Sequence, residues 1–478
     1  MQNKQLVINS SWSTVSAIVL SLTQILRLSI LTRFLDKSDF GIVAIMTIVL
    51  GLTLTFSDLG FSVAIMHKRD ISREEYSSLY WTQLFFFCGI YLLVFVLAYP
   101  ISLLYKTPSI TSLLPIAMID IVFQGIGKLY DTLLLKEFQL KTIAIRNIVS
   151  SVISLVAAFV LAVLGCGIYS LILSTLLQTF ILNIWNFIVG QRCMPIMFYC
   201  SPKQIIPLLK IGVFQTGTQI LDYIASKLDI LIIGRLLGME SLGLYNLAKE
   251  LVFKVITFIN SIVNRVALPY FSKMQQDLSK MRSNYCKLLD VVSLLNFLLL
   301  TITCALSPYI VYYLYGENYG EVAPVMSILS IWGMLISLGN PVGLIVAALG
   351  KTNLSFRYTI VRLFISIPIT YLCCHYGLLS LSWGQVLLAK ACLFITWKMI
   401  LKESIELRLS TFLRSFMKQG VVAICISFVF YIATSRELFE IDNRLLLLLG
   451  CSILITLLYF VMLFPKFRSY FNYFNGRG

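Results

Sequence analysis

Two histidines in 478 residues, and eleven cysteines with no Cys-x-x-Cys spacing among them, leave no cluster from which a metal site could be built. Neither a metal nor any other cofactor is expected. Charge is scarce as well: 13% of residues are charged against 58% hydrophobic, far from the balance of a soluble domain and near that of a chain solvated by lipid. Long polar segments are missing. The longest connections on one side, Tyr315 to Glu321 and Ser435 to Arg444, cannot fold into a domain. This argues against a membrane glycosyltransferase or glycan polymerase with catalytic groups on a sizeable loop, though not against one that hides its site among helices. A removable signal peptide is not expected either, because the run after Lys4 is too long, is broken by Arg27 and lacks a small-residue cleavage site.

What remains is apolar sequence in long runs. About fourteen stretches reach the roughly 20 residues that a spanning helix needs, from Trp12 to Leu35 at one end to Leu445 to Phe464 at the other. Cys88, Cys304, Cys392, Cys425 and Cys451 fall inside them and are expected as small buried hydrophobes in a thiol-reducing setting; the adjacent Cys373 and Cys374 could not close an ordinary bridge. Lys and Arg concentrate in alternate connections, such as Lys136, Lys141 and Arg146, or Lys273, Lys280, Arg282 and Lys287, and on the C-terminal tail. The other connections hold only Lys37, Lys106, Arg436 and Arg444. By the positive-inside rule both termini are cytoplasmic, so the number of crossings is even. The net charge of +16 is spread over these loops, which disfavours nucleic-acid binding.

One stretch is written twice. Asn9 to Val43 slides onto Ile211 to Tyr245 without a gap and matches Thr14 with Thr216, Leu26 with Leu228, Arg33 with Arg235, Leu35 with Leu237 and Gly41 with Gly243. The fold class expected is therefore an all-α polytopic membrane protein of two six-helix lobes. Residues 1–190 form the first lobe, 191–210 a cytoplasmic linker, 211–400 the second lobe, and 401–478 a loop, two further helices and a basic tail. Six crossings return each lobe to the same side, so the halves relate by a pseudo-twofold axis along the membrane normal, as in rocking transporters. The pattern from Lys402 to Arg408 suggests a short amphipathic surface helix.

Ionisable residues at bilayer depth are the candidate functional groups, since each costs about 2.5 to 3.5 kcal/mol at mid-membrane unless it faces protein or water. Asn246, Glu250, Lys254, Thr257, Ser261 and Arg265 recur at helical period in the eighth span, with Lys249 at the edge. Asp120, Gln124, Lys128 and Asp131 do so in the fourth span, and Asp222, Ser226 and Asp229 in the seventh, with Lys227 turned away. Glu250 with Lys254, and Lys128 with Asp131, are either structural ion pairs or transport groups. Arg33 and Arg235 sit where they can snorkel. Arg27 falls opposite Asp229 in the self-match, which suggests an inter-lobe contact lining a shared cavity; the alternative is that each pairs within its own lobe.

The run Arg-Phe-Leu-Asp-Lys-Ser-Asp-Phe-Gly at residues 33–41, then Phe-Ser-Asp-Leu-Gly-Phe-Ser from Phe56, resembles the opening hairpin of Wzx-type polysaccharide flippases of the multidrug/oligosaccharidyl-lipid/polysaccharide superfamily. Asp229 to Gly238, followed by Leu-Gly-Leu-Tyr-Asn, resembles their seventh-to-eighth hairpin. The resemblance implies a V-shaped transporter of the bacterial inner membrane, similar in fold to the multidrug exporters. It would carry an undecaprenyl-pyrophosphate-linked oligosaccharide between leaflets, beside a polysaccharide polymerase and glycosyltransferases. It also implies Arg27, Lys128, Lys249, Lys254 and Arg265 as cations for the pyrophosphate and sugar, and Asp58, Asp222, Asp229 or Glu250 as carboxylates coupling H+ or Na+. A drug/cation antiporter of the same fold is the alternative, and it would want an acid-dominated cavity. An intramembrane glycosyltransferase stands third.

Overall fold

Backbone in hydrocarbon must satisfy its own hydrogen bonds, and apolar runs of this length do so as helices. The computed structural model describes residues 2–58, 61–67, 71–272, 274, 277–435, 444–464 and 466, and no strand occurs among them. Within those helices the side chains of 2–11, 58, 63, 64, 67, 202–215, 218, 262, 265, 266, 268–270, 272 and 352 lie outside the description, so Asp58 and Arg265 do as well.

The helices are α1 (Gln2–Leu31), α2 (Lys37–Asp58), α3 (Phe61–His67), α4 (Arg73–Tyr105), α5 (Ile110–Lys136), α6 (Leu140–Val163), α7 (Tyr169–Cys193), α8 (Pro202–Leu236) and α9 (Gly238–Ser272). They continue as α10 (Leu278–Ala305), α11 (Ser307–Tyr315), α12 (Val322–Ser337), α13 (Asn340–Leu349), α14 (Thr352–Cys374), α15 (Leu378–Thr396), α16 (Lys402–Ile405), α17 (Leu409–Arg414), α18 (Met417–Ser435) and α19 (Arg444–Met462). Among the described residues, twelve segments are long and apolar enough to cross a membrane. Helices α8 and α9 have the length, 35 residues each, but carry more charge. Proline marks two breaks inside expected spans: Pro308 and Pro341 sit in the first turns of α11 and α13, where a missing N–H costs nothing.

The surface is that of a lipid-solvated bundle. Along α19, Leu447, Cys451, Ile455 and Tyr459 are buried at four-residue spacing, while Leu446, Leu449, Ile453, Leu457 and Val461 point outward. Both faces are apolar, so what separates them is packing rather than polarity. The cysteine expectation needs correcting for the same reason. Cys304, Cys392 and Cys451 are buried, but Cys88 is half-buried and Cys425 is exposed, where an apolar side chain meets lipid.

By packing the chain divides into two compact units, residues 1–243 and 244–478, a different kind of division from the sequence repeat. In the first unit α4 packs on α5, α5 on α7, α7 on α6 and α6 on α1, while α8 lies against α2, α3 and α4. In the second unit α10 packs on α12, α12 on α15 and α15 on α14. The third to sixth spans of each repeat thus stack in one order. Helix α18 lies along α10, and Asp290 of α10 takes hydrogen bonds from Gln419 and Lys466, so the last helices are tied into the second unit.

The twice-written glycines explain themselves in the first unit. A Cβ on Gly41 would run into the Met239 carbonyl, and one on Gly243 into the Lys37 carbonyl. Met239 is the residue that the self-match lays over Lys37, so the hairpins α1–α2 and α8–α9 meet by a local twofold with the same contact made in both directions. Lys37 adds an ion pair to Glu240 at 3.6 Å.

Two expectations about connections change. Residues 194–201, in the proline-broken linker, are strapped to α4: Arg73 Nε donates to Pro195 O (2.9 Å), Trp81 Nε1 to Met197 O (2.9 Å), and the Met197 and Ser201 N–H groups donate to Ser77 Oγ and Ser78 Oγ at 3.0 and 3.1 Å. The amphipathic pattern after Lys402 forms only the four-residue α16, because Glu406 takes a left-handed conformation at φ 51°. Its apolar residues, Ile405 and Leu407, are buried nonetheless.

Candidate functional site

Helix α9 carries the clearest polar face. Leu251, Val252, Ile256 and Ile259 are buried on one side, while Asn246, Glu250 and Lys254 are half-buried and Thr257 and Ser261 exposed on the other. Lys254 Nζ lies 3.0 Å from Glu250 Oε1, so the ion-pair reading of these two holds. The ammonium makes that charge contact without an aligned hydrogen bond, and the Glu250 side chain is 39% exposed. Such a pair is worth about 0 to 1 kcal/mol, little enough to open for a ligand. Lys249 turns away from this face and is enclosed by rings, its Nζ 5.4 Å from the Trp332 centroid and 5.7 Å from that of Tyr245. Cation–π contact holds the charge there.

In the first unit, Lys128 does not pair with Asp131. Asp131 Oδ1 instead meets Arg146 Nη1 of α6 at 2.9 Å, which overturns that expected pair and also the placement of Arg146 in a polar connection. Helix α6 begins at Leu140, so Arg146 lies well inside it, with 3% of its side chain exposed. Asn186 Oδ1 of α7 accepts from Nη1, and Asn147 Oδ1 from Nε and Nη2 at 3.2 and 3.1 Å. Asn186 in turn donates to Gly127 O. The planar fork of a guanidinium can satisfy a carboxylate and two amides at once, which the Lys128 ammonium, on the same helix as Asp131, cannot.

Lys128 is left half-buried, and among the described residues its ammonium meets no carboxylate; the same holds for Lys227 on α8. Arg27 Nη1 donates to two hydroxyls, Ser154 Oγ at 3.4 Å and Thr175 Oγ1 at 3.3 Å, both within the first unit. Asp229 is 5% exposed and accepts the Ile230 N–H, while Asp222 is exposed. In the second unit, Arg362 on α14 is half-buried and Lys390 on α15 exposed, again without a carboxylate among the described residues.

Two groups of residues escaped sequence reasoning. The Arg146 cluster was hidden by the neighbouring Lys136 and Lys141, which made the region look like an ordinary basic loop. The uncharged partners, Thr175, Thr179, Asn183 and Asn186, do show a signal, since they recur every three or four residues along α7.

Comparison with known proteins fits this geometry. Residues 30–324, more than half of the chain, match the family described as "Polysaccharide biosynthesis protein". An "Uncharacterized membrane protein in cps region" of Klebsiella pneumoniae is 28% identical over 76% of the chain and 75% of its own length. The "Lipopolysaccharide biosynthesis protein WzxC" of Escherichia coli K12 is 27% identical over 75% of the chain and 73% of its length. Among solved structures, the lipid II flippase MurJ in an inward closed conformation superimposes with a TM-score of 0.75 at 15% identity, covering 97% of this chain and all of that one, which shows a shared fold. Membership follows from the sequence match, and the helical bundle agrees with it: this multi-pass membrane protein belongs to the polysaccharide biosynthesis protein family.

Proposed function

We propose that this protein flips an anionic, lipid-linked oligosaccharide across a bacterial inner membrane, with both termini in the cytoplasm, for surface polysaccharide assembly. The observation that carries the reading is the set of cations at bilayer depth that meet no carboxylate: Lys128, Lys227 and Arg362 are all half-buried in this state among the described residues. Each would be costly to keep in hydrocarbon, and each suits a pyrophosphate better than a protein acid. The hydroxyl and amide face of α9 offers hydrogen bonds to a sugar, and the apolar exterior leaves a polyprenyl tail in lipid.

The WzxC relative is named for lipopolysaccharide biosynthesis and MurJ for flipping lipid II, and both support the same class of substrate. A cation or drug antiporter would need acidic groups facing its cargo, whereas Lys128, Lys227 and Arg362 are cations that meet no carboxylate among the described residues. Partnership with a polymerase and glycosyltransferases follows from the same reading, because the cargo must be built on one side and consumed on the other.

The test is reconstitution in liposomes with a fluorescent undecaprenyl-pyrophosphate oligosaccharide. Movement of intact lipid to the leaflet reached by a membrane-impermeant glycosidase supports flipping, and Lys128→Gln should slow it. Transport of cationic dyes without lipid movement would assign the antiporter instead. A change in the covalent structure of the glycan would assign an enzyme.

A further inference from the structure

Inside the first unit lies a polar column that the proposed substrate groups do not use. Thr175, Thr179, Asn183 and Asn186 follow one another on a single face of α7. Helix α5 runs against that face, close enough that a Cβ on Gly127 would come within 2.7 Å of Asn183 Cα. One end of the column is Arg27, held on Thr175. The other is the Arg146 cluster, which opens to solvent through Asp131, whose side chain is 38% exposed.

Between those ends sits Asp120, near the middle of α5 and 2% exposed. Gln124 Nε2 donates to its Oδ2 at 2.7 Å, and the Thr179 side chain faces the carboxyl from α7. Oδ1 is buried without a hydrogen-bond partner among the described residues. Among the described residues no cation forms an ion pair with it; the cation of the same column is Arg27, held on Thr175 one turn before Thr179. On the helices packed against α5, α7 is uncharged from Tyr169 to Gln191, α4 carries only tyrosines and Cys88 as titratable groups beyond Glu75, and α2 has none between Asp39 and Asp58. Helix α3 contributes only His67 at its end, and α6 only Lys141 and Arg146 near its start. On α5 itself the nearest charge is Lys128, two turns along and about 12 Å in rise.

A carboxylate enclosed in this way, without an ion pair among the described residues and with one oxygen lacking a hydrogen bond, is costly to ionise. An asparagine would fill the same place as a neutral group, as Asn183 and Asn186 do in the same column. What a carboxyl adds is a proton that can leave.

We propose that Asp120 is a proton-carrying site of the first unit, protonated while enclosed as here and giving its proton to water along the α7 column, toward Asp131, when the column hydrates. The proton leaves the Asp120 hydroxyl as hydronium and returns by the same route. Its use in coupling rests on the transport reading above; its existence does not.

Infrared difference spectroscopy on the full-length protein in liposomes tests the site, with sodium as the competing probe. The wild type at neutral pH should show the C=O stretch of a protonated carboxyl that disappears in Asp120→Asn, persists with a shift in Asp120→Glu, and is unaffected by sodium. Absence of such a band, or its appearance only when sodium is withdrawn, overturns the proposal, the second result because the site would then hold a metal ion. In cells, Asp120→Asn should flatten the pH dependence of surface polysaccharide export while Asp120→Glu retains it. An unchanged pH profile in Asp120→Asn overturns coupling through this residue. If the wild-type protein fails to move lipid-linked oligosaccharide in liposomes, the transport reading falls while the infrared band stands, so the two failures are distinguishable.

Discussion

The Arg146 cluster of the first unit and the polar face of α9 in the second both place charged side chains within long helices, but they treat them in opposite ways. Arg146 is 3% exposed and answered by a carboxylate and two amides from α5, α6 and α7. Lys254 and Glu250 share one contact on a partly open face, flanked by the exposed hydroxyls of Thr257 and Ser261. The difference separates charges that hold helices together from charges that remain available. Saturation of hydrogen bonds, not depth alone, is the criterion, since a fully answered buried ion has nothing left to give a substrate.

Substitution can break that comparison at its strongest point first. Arg146→Ala strands Asp131, the buried amide of Asn186 and the half-buried amide of Asn147, and should destabilise the protein by about 3 kcal/mol, the low end for a broken buried pair because Asp131 is 38% exposed. Thermal unfolding in detergent should show it as a large fall in Tm, with export lost through lack of folded protein. A fully stable Arg146→Ala would mean that the cluster is not structural. Next comes Gly243→Val, which forces a side chain into the Lys37 carbonyl and should cost about 1 to 3 kcal/mol. Because the contact is reciprocal, Gly41→Val should cost a similar amount. A large asymmetry between the two would contradict the local twofold.

Lys254→Gln sharpens the contrast from the other side. Its ion pair is partly exposed, so stability should change by less than about 1 kcal/mol while lipid-linked glycan transport falls. Equal losses in folding and transport would place Lys254 with Arg146. The smallest effect belongs to Asp277, the N-cap of α10, whose carboxylate accepts the Lys280 N–H at 3.0 Å. That N–H and the Ser279 hydroxyl hold its pKa down to about 2. A depressed acid contributes fully above its ordinary value of 3.8 and loses that contribution as pH falls through about 2, so Asp277→Ala should slightly lower Tm at neutral pH and matter progressively less as the pH is taken down through that value.

Much of this architecture is legible in the sequence, and the reasons are physical. Spans announce themselves by length and hydropathy, because hydrocarbon admits no other backbone. The α9 stripe is visible because its period matches a helix, and Asn246, Glu250 and Lys254 are half-buried along it. The repeated glycines at 41 and 243 are visible as a pattern, though only packing shows that each admits the partner's backbone. Less legible was which acid meets which base. Lys128 and Asp131 stand at a helical spacing, yet Arg146 reaches Asp131 from another helix, and no spacing rule within one helix can anticipate that. Asn147 gave no warning because a neutral amide in a span looks like a tolerated polar residue until its charged partner is found. The break after α16 was equally hidden, since Glu406 is not a residue that advertises a left-handed turn.

Thiol accessibility tests the central claim most directly, in a background where the exposed and half-buried native cysteines are replaced. Single cysteines at Thr257 and Ser261 should react with a membrane-impermeant reagent and be protected by added lipid-linked oligosaccharide, whereas one at Asn186 should stay unreactive in folded protein. Unreactive thiols at both α9 positions under every condition, or an Asn186 thiol as reactive as they are, would contradict the division between available and committed charge.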